Sequence, residues 1–118
     1  MDSDKKNKQS QLNDTKKRII CEMESSDGFC WVTKGREIEN YIHQSIINEK
    51  YRKESDEKYK DIGIYEDFKD YIVEDDPNFE RHKVDTANGL VFTNESLDVL
   101  DLKERIIALA ETIKKWNN

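Results

Sequence analysis

Apolar residues in this chain come in short periodic blocks set between long charged stretches, which limits it to one small folded body with solvated loops. The clearest block closes the chain. Leu102, Ile106, Leu109, Ile113 and Trp116 recur at i, i+4 and i+7, the spacing of one face of a helix. Asp101 stands where a cap belongs, and Glu104 is placed for a capping box. Of 118 residues 39% are charged and 35% hydrophobic, close to the balance at which burial ceases to offset chain entropy. A single domain with a modest core is therefore expected.

The other blocks read in turn. Residues 1–11 have the composition of a solvated tail. Asn13-Asp14-Thr15 offers caps for a helix to about Met23, with Ile19, Ile20 and Met23 on one side and Leu12 ahead. Ser25-Ser26-Asp27-Gly28 is a turn, and Phe29–Thr33 is aromatic and β-branched, as strands are. After the Lys34-Gly35 break a second helix is expected from Glu37, with Ile38, Tyr41, Ile42 and Ile46 as its stripe. Residues 49–63 read as a solvated helix end and loop, and 65–73 as a short helix facing the body through Phe68, Tyr71 and Ile72. Residues 78–95 read as irregular. A helix returning into a short strand suits a helix-rich α/β fold.

Charge and cysteines narrow the function. A formal net charge of −6 argues against gripping DNA with the whole surface, because phosphate binding needs concentrated Lys and Arg. Contact with nucleic acid then needs a local patch or cations held by carboxylates. Lys5, Lys6, Lys8, Lys16, Lys17 and Arg18 form the basic concentration, for which a solvated face is the simpler account. Without an apolar run of membrane length or a signal segment, a soluble cytoplasmic protein without membrane partners is expected. Cys21 and Cys30 are expected to be free thiols, with Cys30 packing as a small hydrophobe.

Two segments carry candidate chemistry. In Asp2-Ser3-Asp4, carboxylates at i and i+2 project to one side of an extended chain, a spacing that suits hard divalent cations. Glu37 and Glu39 open the predicted second helix, where acidic residues also serve as simple dipole partners. Glu37 would stand at the C-terminal end of the preceding strand, where open α/β sheets place ligands. Glu39 and His43, at i and i+4, suggest a weaker metal pair, and His82 is the other histidine.

Together DSDK at 2–5, TKKRIICEM at 15–23, WVTKG at 31–35 and REIENYI at 36–42 resemble the later part of the TOPRIM domain of OLD-family, ATPase-linked endonucleases. The resemblance covers residues 1–48 and extends more loosely to His82-Lys83 and Ala87. It implies a partial TOPRIM (Rossmann-like) layer over 1–48, followed by a helical extension over 49–118. It further implies Mg²⁺ or Mn²⁺ on Asp2, Asp4 and Glu39, with Glu37 and Lys83 as catalytic residues and DNA as substrate of the full-length parent, in anti-phage defence. The chain departs from that pattern. The glutamate of an earlier strand and the ATPase part are absent, so Met1 is either internal to a longer parent or the start of a remnant. The expectation is a nuclease fragment inactive alone, associating with its ATPase-bearing half or with itself. The competing expectation is a small helical interaction module that docks a partner on the Leu102–Trp116 stripe.

Overall fold

The computed structural model describes residues 1–51, 62–72, 78 and 83–118, and for Tyr51, Tyr71 and Ile72 the backbone alone. Five helices are seen: α1 (Asp14–Ser25), α2 (Gln44–Tyr51), α3 (Phe68–Ile72), α4 (Lys83–Asn88) and α5 (Leu102–Trp116). The described residues also include 3₁₀ turns at Ile38–Tyr41 and Glu95–Leu97.

α1 begins where its sequence says. Asn13 is extended, and its side-chain oxygen accepts from Lys16 N at 2.9 Å. The helix stops in a Schellman-like turn. Asp27 takes a φ of +58°, and Gly28 N donates to Met23 O at 2.8 Å. Glycine suits position 28, since a Cβ there would displace the Met23 Cε methyl at 2.7 Å and crowd Met23 O at 3.1 Å. Ile19, expected on the packed side, is exposed.

No strand or sheet forms among the described residues, which corrects the expected α/β class and its partial Rossmann-like layer. The extended segments Met1–Ser3 and Phe29–Thr33 do lie side by side. Met1 N donates to Trp31 O at 2.7 Å, and Thr33 N to Met1 O at 3.0 Å. The next rung is diverted, because Ser3 N donates to the Thr33 hydroxyl at 2.8 Å instead of a carbonyl. The Ser3 hydroxyl in turn donates to Gly35 O at 2.6 Å. Asp4, at a φ of +55°, turns the chain away. Side chains thus replace the ladder, and residues 1–4 are fastened in place instead of fraying as a tail.

The helix expected from Glu37 is split. A 3₁₀ turn covers Ile38–Tyr41, Ile42 is extended, and α2 starts at Gln44. Asn40 explains the split. Its side-chain oxygen accepts from Glu37 N at 2.8 Å, while its amide donates to Glu66 O at 3.1 Å. That cross-link ties the turn to the 62–67 segment and withdraws it from a continuing helix. Within 65–73 a helix is seen from Phe68, which is buried; residues 73–77 and most of 49–63 lie outside the described part. The 78–95 stretch, read as irregular, contains α4.

Asp101 does not cap α5 through its side chain as the sequence suggested. Its carboxylate instead accepts from the Tyr41 hydroxyl and from Arg105 Nε. The far end of α5 is fastened to the turn after α1. Lys115 Nζ lies 2.9 Å from Asp27 Oδ1, and Trp116 Nε1 donates to Asp27 O at 3.3 Å.

The buried apolar side chains among the described residues are Tyr41, Ile46, Ile47, Phe68 and Leu102. Buried Ser3, Thr33, Asn40, Thr86 and Ser96 match them in number, so hydrogen bonds carry a large share of the interior. No helix among the described residues is long and apolar enough to cross a membrane.

Candidate functional site

Three of the expected site residues meet at the 3₁₀ turn. Glu37 precedes it, Glu39 lies inside it, and Lys83 from the start of α4 reaches Glu39 Oε1 at 2.8 Å. Glu37 Oε1 accepts from Phe68 N at 2.7 Å, which caps α3 from a distance. Partial burial pushes the Glu37 carboxyl above its ordinary value. The Phe68 N–H opposes that shift, Glu39 and Asp67 add to it, and Lys83 opposes it. Asp67 itself is held by Arg36 Nη2 at 3.3 Å.

Asp2 reaches the backbone of the same turn, and Asp4 does not join the group. Asp2 Oδ1 accepts from Ile38 N at 2.8 Å and so caps the 3₁₀ turn across the fold. Asp4 pairs with Lys16, whose ammonium also donates to Asp2 O at 2.7 Å. His43 faces Ser45, with Nδ1 2.7 Å from Ser45 Oγ, and His82 lies outside the described residues. Cys21 is exposed, Cys30 is half-buried, and neither is in a disulfide.

The implied divalent ion can be tested against these partners. Hard cations need several oxygen donors on one point. Here Asp4 and Glu39 each face a lysine, and Asp2 serves a backbone N–H. Among the described residues no group of three or more possible ligands stands together. As folded, these side chains do not fit a divalent cation, and their common role is to bind chain segments together.

The same turn forms one wall of an apolar groove of about 400 Å³. Ile38, Tyr41, Val84, Leu90, Phe92 and Leu102 supply most of the lining, with the Glu39–Lys83 pair set among them. The floor is rigid, since Tyr41 is locked by its hydroxyl: it donates to Asp101 and accepts from Lys34 N at 2.9 Å. Burial and the hydrogen bond to Asp101 raise the phenol above its ordinary pKa. Trp31 stacks edge-on against the same ring at 5.3 Å. The lip faces solvent by contrast, with Val84 73% and Phe92 52% exposed. A smaller depression of about 170 Å³ shares Leu90.

Sequence reasoning misses this groove because the 78–95 stretch reads as irregular. A signal was present: Val84, Ala87 and Leu90-Val91 recur at helical spacing through that stretch.

Compared with known proteins, the chain matches no family model, no curated protein and no solved structure.

Proposed function

We propose that this protein is a small helical interaction module whose groove takes the apolar side of a partner segment. The observation that carries the reading is a groove of about 400 Å³, walled almost wholly by apolar side chains and floored by a hydrogen-bonded Tyr41. Concave apolar surface of this size lies in the range used for ligands and anchoring side chains. No catalytic residue is assigned. Glu39 and Lys83 at the groove compensate one another and hold the 3₁₀ turn against α4, while Glu37 beside them holds it against α3.

A variant that fills the groove tests this directly. Ala87 is exposed and lines the groove, so Ala87→Trp occupies it without entering the core. A dye that fluoresces in apolar sites, such as anilinonaphthalene sulfonate, is expected to bind the native protein. In Ala87→Trp that signal falls by more than about half, with the circular dichroism spectrum unchanged. Equal fluorescence from both proteins would refute the groove as a binding surface.

A second reading, a portion of a metal-dependent DNA endonuclease that is inactive alone, rests on the motif resemblance. What favours it is the placement of Asp2 on the turn that carries Glu37 and Glu39. It requires Lys16 and Lys83 to release their carboxylates. Either reading is compatible with a cytoplasmic location, which we propose on the two unpaired cysteines.

A further inference from the structure

We infer that the outward side of α5 is a second docking surface, built for an amphipathic helix of acidic character. α5 meets the body through buried Leu102 and half-buried Arg105, Ala108, Leu109 and Thr112. Each residue turns the helix by about 100°, so Ile106, Ala110 and Ile113 gather on the adjoining side. Ile106 is 43% and Ile113 44% exposed, and Ala110 between them is exposed. The short Ala110 side chain lets a large apolar side chain from another helix approach between the two isoleucines.

Charge specifies the partner. Lys103, Ile107 and Lys114 form a line beside the apolar one, and all three are exposed. Eleven residues make just over three turns, which sets the two lysines on one edge about 16 Å apart. Neither lysine side chain makes an ion pair or hydrogen bond with a described residue. A helix that lays Leu-type side chains along Ile106, Ala110 and Ile113, and carries carboxylates about three turns apart, meets both ammonium groups at once.

Two other occupants fit less well. A second copy, paired two-fold and antiparallel, brings the two lysine lines against one another. An anionic bilayer meets the lysines but also Glu104 and Glu111, which are exposed just beyond them on the helix surface.

The test uses the full chain and two labelled synthetic helices with the same leucine stripe, one flanked by glutamates and one by lysines. Fluorescence anisotropy is expected to show the glutamate peptide bound about tenfold more tightly at low salt, the gap narrowing in high salt. Lys103→Glu/Lys114→Glu, at exposed positions that leave the fold intact, reverses the preference. Ala87→Trp leaves it unchanged, because this surface does not depend on the groove. Equal affinity for the two peptides, or no binding of either, overturns the inference. So does dimerisation abolished by Ile106→Asp, or binding to phosphatidylserine vesicles with no binding to the glutamate peptide.

Discussion

Glu37 shows how one side chain in this fold serves structure at an electrostatic cost. Its carboxylate caps α3 through Phe68 N, yet it is partly buried and faces Glu39 and Asp67. Its folded-state pKa is therefore raised above the ordinary 4.5. The folded state binds this proton more tightly than the unfolded state does. Its contribution to stability is present below the unfolded pKa and is lost as pH rises through the folded pKa. Glu37→Gln keeps an oxygen for Phe68 N and removes the charge. At neutral pH the variant is expected to be more stable by about 0.5 kcal/mol, a small figure because the group is partly exposed. The difference shrinks as pH falls toward 4.5, and urea melts at a series of pH values measure it. Asp101 behaves oppositely. Burial pushes its carboxyl up, but the hydrogen bonds from Tyr41 and Arg105 outweigh that and bring it below its ordinary value. Its contribution is present above the unfolded pKa and is lost as pH falls through the folded one.

At the scale of elements, the 1–4 and 29–33 segments decide the fold class. They are extended and adjacent, and the aromatic and branched residues at 29–33 account for that much. Thr33 then intervenes, since its hydroxyl accepts from Ser3 N at 2.8 Å and donates to Gly35 O at 3.0 Å. Thr33→Val separates the two accounts of this region. Valine is at least as good a strand residue, so in a regular ladder the change is harmless. Here it strips a buried N–H of its acceptor, and a loss of about 1–3 kcal/mol is expected in chemical denaturation. The adjoining Gly35 shows why the segments close so tightly. A Cβ there would lie 2.6 Å from Ile64 O and 3.0 Å from Asn40 Cβ, so no side chain fits between the 3₁₀ turn and the 62–67 segment.

For the whole molecule, the balance of charge is where the two functional readings make different predictions. The carboxylates that the motifs mark for a metal are matched inside the fold by Lys16, by Lys83 and by the Ile38 N–H. Calorimetric titration with Mn²⁺ is accordingly expected to show no heat of specific binding. Binding that disappears in Asp2→Asn/Asp4→Asn would instead favour the endonuclease portion. A ligand present at about a hundred times its Kd also raises stability by about 2.7 kcal/mol, so a thermal melt reads the same outcome.

Several features were legible in residue order, because their causes are local. The Asn13 cap, the Ser25–Gly28 stop, the amphipathic α5 and the inward Phe68 each follow from side chains within a few positions of one another. The site was legible only in part. Glu37, Glu39 and Lys83 do come to one turn, but what they face there depends on Phe68 N, Asp67 and each other. Tertiary structure alone decided that Asp2 caps a turn 36 positions away and that Asp101 bonds Tyr41 instead of its own helix. It also decided that Val84, Leu90 and Phe92 wall a groove. The physical reason is common to all of these. A polar group takes the partner that leaves the fewest buried donors and acceptors unmatched, and that partner is known only once distant segments have met.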